Sequence, residues 1–264
     1  MARSADQTGR TMFQTERHRE IVTLARRYGR VDVAKLADTF RVTTETIRRD
    51  LSDLQGQRLL RRVHGGAILW ETSGFEPQLS VRSDQQVAEK RRIARLAVQE
   101  LPDSGTIIID SGSTLTPFAE SIPKDRELQV VTNSLITAQA LAKKESLNVV
   151  VLGGSVRKNT FAMVDPETVA SVNDLAVDTL FISGDGMSVE RGLTTPYRGE
   201  ATLKQAMIAS AVRVVALVDF SKMDKNHTIR FAQWGAIDVL ITDDRASDEV
   251  VARLQALGPT VLRA

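Results

Sequence analysis

The stretch Thr43–Ala67, T-T-E-T-I-R-R-D-L-S-D-L-Q-G-Q-R-L-L-R-R-V-H-G-G-A, changes its hydrophobic period halfway along. Ile47, Leu51 and Leu54 recur at helical spacing, whereas Leu59-Leu60-Arg61-Arg62-Val63 reads as a strand. His64-Gly65-Gly66 permits a tight turn, and Ala67-Ile68-Leu69-Trp70 returns. Few small folds accommodate an arginine-rich helix followed at once by an arginine-bearing hairpin.

The preceding residues narrow the choice. Ile21, Leu24, Ala25 and Tyr28 line one side of a first helix that Gly29 ends. Val31-Asp32-Val33 opens a second, with Leu36, Ala37 and Phe40 inward. Arg41-Val42-Thr43 forms a turn, and Thr44 is placed to cap the third helix. Three helices and a two-stranded wing predict a small winged helix-turn-helix domain over residues 13–70, behind a disordered extension at 1–12. Thr43, Thr44, Glu45 and Thr46 lie at the end of the third helix that reaches base edges in this motif, followed by Arg48 and Arg49. The planar arginine fork suits guanine edges and phosphates alike. Arg61, Arg62, His64 and Gly65 of the wing are placed to lie along the DNA backbone. Asp50 is expected to pair with a neighbouring arginine.

Charge agrees with this division. The net charge of +2 splits into +6 for residues 1–70 and −4 for the remainder, so only the head is suited to a polyanion. The chain has no cysteine, which excludes disulfides, thiolate metal sites and a cysteine nucleophile. No apolar run reaches the length of a membrane span, and the N-terminus lacks the apolar core of a signal peptide, so a cytoplasmic protein is expected.

Residues 71–86 have no clear period and read as a linker, with Phe75 and Leu79 available to dock on one domain. From Val87 a helix runs to about Leu101. Apolar, β-branched runs at 106–110, 129–132, 148–152, 178–183, 213–219 and 239–242 then alternate with helical stretches at 115–121, 135–144, 167–173, 201–211 and 248–257. This predicts an α/β effector domain over 87–264, with a mostly parallel, Rossmann-like sheet covered by helices. Ligands bind at the carboxyl ends of such strands. Those ends read Asp110-Ser111-Gly112-Ser113-Thr114, Thr132-Asn133-Ser134, Gly153-Gly154-Ser155 with Arg157 behind, Ser183-Gly184-Asp185-Gly186, and Asp219-Phe220-Ser221-Lys222. Small hydroxyl residues and glycines before helices can cradle an anion, and five such clusters suggest one pocket for a small polyhydroxyl anion.

T-E-T-I-R-R-D-L, the leucine pair and R-V-H-G-G-A together resemble the DeoR-type bacterial transcriptional regulators. V-T-N-S, L-G-G, G-L-T-T-P…E-A…K and D-F-S-K resemble later blocks of that family, and D-S-G-S-T is similar to the phosphate loop of ribose-5-phosphate isomerase and coenzyme A transferase folds. On this resemblance Met12 aligns with the usual family start. It implies that Ser111, Gly112, Ser113 and Thr114 hold a ligand phosphate. Asn133, Arg157, Asp185, Glu200, Lys204 and Lys222 would contact the sugar or frame the pocket. Asp165 and Ser183 depart from the family pattern, where glycine is frequent at both places.

Two functions follow. The first is a regulator, most simply a repressor of carbohydrate or related catabolic genes, that binds an operator as a homo-oligomer (dimer or tetramer) and leaves it when a phosphorylated sugar or polyol binds. The second is a sugar-phosphate isomerase fused to a DNA-binding head, with Asp185 and Glu200 as base and acid. Against catalysis, Tyr197-Arg198-Gly199-Glu200 stands where the isomerase resemblance requires a glycine-rich run, and His18, His64 and His227 are too dispersed to suggest a metal site. Neither a metal nor a cofactor is expected.

Overall fold

The computed structural model describes residues 13–57, 59–69 and 78–264. The expected extension at 1–12, Trp70 and Phe75 lie outside them. The chain divides into two compact units, Met1–Pro77 and Gln78–Ala264.

In the first unit, α1 (Gln14–Tyr28) leads through β1 (Arg30–Asp32) to α2 (Val33–Phe40) and α3 (Thr44–Gly56), then to β2 (Leu60–Val63) and β3 (Gly66–Leu69). Ile21, Ala25, Leu36, Ile47, Leu51, Leu54 and Leu60 form its core. Tyr28, expected inward, is exposed. The cap of α3 is Thr43 rather than Thr44, since Thr46 N donates to Thr43 Oγ1 at 3.1 Å. The wing has three strands in the order β1-β3-β2, all antiparallel, one more than the sequence suggested. The third strand, Arg30–Asp32, is hidden in sequence by its position at the start of α2. The Gly pair now has a reason. Gly65 has φ of 76°, and a Cβ on Gly66 would lie 2.0 Å from the Val31 carbonyl oxygen, so β1 can approach β3 only at glycine.

The second unit opens with α4 (Leu79–Ser83) and α5 (Val87–Ala97). Residues 78–86, read as linker, are therefore part of this unit: Leu79 is buried and its N–H donates to the Asn159 carbonyl at 2.9 Å. There follow β4 (Ser104–Ile109), α6 (Leu115–Ser121), β5 (Glu127–Thr132), α7 (Leu135–Leu141) and β6 (Asn148–Val151). A small hairpin, β7 (Val156–Arg157) and β8 (Ala162–Met163), precedes α8 (Pro166–Asn173) and β9 (Val177–Ile182). Then come β10 (Gly186–Ser188), β11 (Gly192–Thr195), α9 (Arg198–Ser210), β12 (Ala211–Leu217), β13 (Ile229–Ala232), β14 (Val239–Thr242), α10 (Asp248–Gln255) and β15 (Thr260–Arg263).

Seven strands make one parallel sheet in the order β15-β14-β12-β9-β4-β5-β6. β10, β11 and β13 form a separate antiparallel sheet. Alternate strand residues face opposite layers. Ile107, Ile109, Val130, Phe181, Val215 and Ile241 pack under α5 and α6, while Ile108, Val131, Leu180, Ile182, Val214 and Leu240 pack with α9 and α10. From β4 the chain winds one way to β5 and β6. It then returns to the other side of β4 and winds outward through β9, β12, β14 and β15. The direction reverses between β4 and β9, and such a reversal opens a crevice at the carboxyl ends of the two strands.

Candidate DNA interface and ligand cleft

On the head, Thr43, Thr44, Glu45, Arg48, Arg49, Arg61, Arg62, His64 and Gly65 are all exposed, and Thr46 is half-buried. Thr46 is the one among these drawn into the fold, since Thr43 Oγ1 and Thr46 Oγ1 lie 2.9 Å apart at the helix cap. Glu45, Arg48, Arg49, Ser52 and Arg62 share one surface recess, so the front of α3 and the wing present their arginines together. Arg62 Nη1 donates to Ser52 Oγ at 2.9 Å, and Arg62 N donates to Gln55 Oε1 at 2.8 Å. Arg48 lies 3.5 Å from Glu45 Oε2, an exposed pair that water and DNA phosphates can readily replace.

Asp50 faces away from this surface. It is 1% exposed and pairs with Arg17 of α1, through Nε at 2.6 Å and Nη2 at 3.0 Å, instead of with the arginines beside it in sequence. His18 Nε2 lies 2.9 Å from Asp50 Oδ1, the oxygen that also accepts from Arg17 Nη2. The hydrogen bond that Arg17 donates to Asp50 raises the Arg17 pKa above its ordinary value despite the opposing effect of burial. Asp50 therefore bolts α3 to α1. Replacing Arg48 or Arg49 with alanine, which touches none of this, should weaken specific DNA binding by about 1–3 kcal/mol if the side chain is bidentate to a base. A binding titration combined with an unchanged melting curve checks that expectation.

In the second unit the crevice between β4 and β9 is a narrow cleft with a cavity volume of about 20 Å³, open to solvent at its mouth. Ser111, Gly112, Ser113 and Thr114 form one wall, and the Gly112 carbonyl turns the chain into α6 by accepting from the N–H groups of Leu115 and Thr116, both at 3.1 Å. Ser183, Gly184 and Asp185, after β9, form the second wall. Glu200 and Lys204 of α9, with Lys222, complete the base.

The charges in the cleft are mutually bound. Lys204 Nζ donates to Asp110 Oδ2 and, at 3.0 Å, to the Ser183 carbonyl. Burial pushes the Lys204 ammonium down, but Asp110 and Glu200 outweigh it and raise its pKa. Arg82 Nη1 donates to Asp185 Oδ1 at 2.8 Å. Burial pushes the Asp185 carboxyl up, yet Arg82, Lys222 and Lys204 hold it below the usual carboxylate range. Thr195 Oγ1 stands 2.8 Å from Asp185 Oδ2 and 3.1 Å from Glu200 Oε2, and Arg157 Nη1 donates to Glu200 Oε1 at 2.8 Å. The Arg157 guanidinium also stacks 4.3 Å over the Tyr197 ring. Burial lowers the Lys222 pKa, against the pull of Asp219 and Asp185.

Of the residues expected at the ligand, Ser111, Gly112, Ser113, Thr114, Asp185, Glu200, Lys204 and Lys222 line the cleft. Asp110 and Arg157 stand behind it, each holding a lining residue. The remainder tie loops together. Thr132 Oγ1 accepts from Ser134 N at 3.1 Å, and Ser134 Oγ caps α7 through Thr137 N at 3.2 Å. Asn133 Nδ2 donates to the Met163 carbonyl at 3.1 Å. The Gly153 carbonyl accepts from Thr168 Oγ1 at 2.8 Å, beside Gly154. Arg82 and Thr160 also line the cleft, and sequence reasoning missed both.

The two departures from the family pattern become intelligible. Asp165 caps α8, accepting from Thr168 N at 3.0 Å, and also accepts from Ser155 N. These hydrogen bonds lower its carboxyl pKa to about 2, so it serves the turn and not the cleft. Ser183 Oγ donates to the Leu217 carbonyl at 2.8 Å, fastening β9 to β12.

A winged helix-turn-helix head and, later in the same chain, a polar cleft at a sheet's switch point fit a DNA-binding regulator with a sensor. The comparisons agree. Residues 17–73 match the DeoR-like helix-turn-helix domain, and residues 85–244 match the DeoR C terminal sensor domain. An HTH-type transcriptional regulator, GlpR of Haloferax volcanii, is 34% identical over 251 residues, covering 95% of this chain and 98% of that protein. The glycerol-3-phosphate regulon repressor of Escherichia coli is 32% identical over 232 residues, 88% of this chain and 92% of that one. A ribose 5 phosphate isomerase A from Neisseria gonorrhoeae aligns over 52% of this chain and 53% of its own at 21% identity, with a TM-score of 0.39, too loosely to argue from. The chain belongs to the DeoR family and is a DNA-binding transcriptional regulator rather than an enzyme. No helix among the described residues is long and apolar enough to cross a membrane.

Proposed function

We propose that the chain is a cytoplasmic repressor that occupies a two-fold operator as a homo-oligomer and releases it when a phosphorylated sugar or polyol enters the cleft. The observation that carries this reading is the cleft's chemistry: the Ser111–Thr114 wall supplies hydroxyls beside three cationic side chains, with the carboxylates of Asp185 and Glu200 lining the same space. The names of the relatives, one a glycerol-3-phosphate regulon repressor, point the same way. Thr43–Thr46, Arg48 and Arg49 read bases, while Arg61, Arg62, His64 and Gly65 hold the backbone, so affinity falls steeply with salt. Two-fold placement of heads follows from the way helix-turn-helix proteins pair half-sites. The ligand acts by binding the DNA-free arrangement more tightly than the DNA-bound one.

The test is a titration of phosphorylated sugars and polyols against a DNA site selected from a random library. At least one compound is expected to weaken the complex, and a panel with no effect on DNA binding overturns the inducer reading. Ser113→Asp places a carboxylate in the proposed phosphate wall. It should abolish the response by like-charge repulsion while the DNA complex still forms. Undiminished ligand affinity by calorimetry would remove Ser113 from the site.

A further inference from the structure

Most cations in and behind the cleft are already paired with a carboxylate. Arg82 faces Asp185, Lys204 faces Asp110, Arg157 holds Glu200, and Lys222 lies in the field of Asp219 and Asp185. An entering anion can meet Lys222, whose ammonium makes no ion pair among the described residues, and gains a second cation only by taking one from its carboxylate. The candidates differ in how firmly they are held. Lys204 rises from the middle of the thirteen-residue α9 and is fixed from two sides, by Asp110 and by the Ser183 carbonyl. Arg82 sits on α4, a helix of five residues. α4 is anchored by Leu79, by the Arg82–Asp185 pair and by Lys90, whose Nζ donates to the carbonyls of Arg82 and Gln85. It is the first element after the segment that joins the two units in sequence. A second observation comes from Thr160, in the turn between β7 and β8. Its side chain lines the same cleft, the residue is 2% exposed, and Oγ1 is buried without a hydrogen-bond partner. A buried hydroxyl of this kind is costly unless something bonds it.

We propose that Arg82 and Thr160 are ligand-binding residues of the cleft, and that Arg82 leaves Asp185 for an oxygen of the phosphorylated ligand, drawing α4 with it. The exchange frees Asp185 to accept a ligand hydroxyl, while the carboxylate stays in the field of Lys222 and Lys204. Arg82 is then both a contact and the point at which occupancy reaches the chain leading to the head, whereas Thr160 is a contact alone. The inference rests on the repressor reading above.

The experiment uses the full chain and a panel of glycerol 3-phosphate, hexose 1-phosphates and hexose 6-phosphates, with inorganic phosphate as a control for bare charge. For the compound that the wild-type chain binds most tightly, two quantities are measured: its dissociation constant, and the factor by which a saturating amount weakens DNA binding. Arg82→Gln should raise the dissociation constant at least about tenfold, as expected for loss of a charge-assisted bond. It should also shrink the DNA-release factor when ligand is saturating. Thr160→Val should weaken binding several-fold but keep the release factor at saturation. Arg82→Gln that binds as the wild type does, or that binds weakly yet releases DNA fully once saturated, overturns the proposal. If calorimetry shows Arg82→Gln unfolded, Arg82→Lys, which keeps the charge but loses the planar fork, carries the same two measurements. If no compound binds the wild-type chain, the repressor reading fails and takes this inference with it. If one binds and only the Arg82 effects are absent, this inference fails alone.

Discussion

Asp50→Ala lowers the stability of the DNA-binding head by about 3–5 kcal/mol, the cost of breaking a buried ion pair from one side. The substitution removes both hydrogen bonds to Arg17 and the contact with His18, and leaves a guanidinium that is 6% exposed without its counter-charge. Domains are stable by only about 5–15 kcal/mol, so much of the head's margin disappears. Calorimetry should show the head melting well below the wild type, with DNA binding lost at temperatures where the second unit stays folded. The contrast with Arg48→Ala is the decisive part: that variant loses DNA affinity with its melting unchanged. Equal melting curves for Asp50→Ala and wild type would mean that α1 and α3 are held by their apolar contacts alone.

Lys204→Met has an effect of similar size in the second unit, about 3–5 kcal/mol, for a related reason. Methionine preserves the bulk of the side chain against Phe231, over whose ring the ammonium lies at 5.3 Å. It strands Asp110, which is 1% exposed, and deprives the Ser183 carbonyl of its donor. The harm comes from the carboxylate left behind more than from the lost lysine, so Lys204→Met combined with Asp110→Asn should recover a large part of the stability. A double variant no more stable than the single one would show that the lysine contributes through packing instead. Ligand binding should weaken in both, because the cleft loses one of its three lining cations.

The buried strands were legible because a parallel sheet covered on both faces leaves uninterrupted apolar runs, such as Ile107-Ile108-Ile109 and the valines of Val214–Val218. β15 escaped notice because Thr260-Val261-Leu262-Arg263 is a short edge strand with polar ends. β10, β11 and β13 are short pieces whose pairing is tertiary. At the site, small hydroxyl residues and glycines before helices marked the strand ends. Which ends meet depends on strand order, and no local pattern reveals that order. The crevice falls between β4 and β9, so Ser111–Thr114 and Asp185 face the cleft, while Thr132-Asn133-Ser134 and Gly153-Gly154 secure the loops around β7, β8 and α8. Long-range pairs were invisible for the same reason. Arg82 lies in an aperiodic stretch 103 positions from Asp185, and Arg17 lies 33 positions from Asp50.

The bonds from Arg62 to Ser52 and Gln55, with β1 closing the wing's other edge, tie α3 and the wing together. If α3 and the wing meet DNA as proposed, a reader tied together in this way leaves more of the accommodation to the duplex. Operator positions that no side chain touches would then contribute to selection through how readily their base steps bend and how wide their grooves stand.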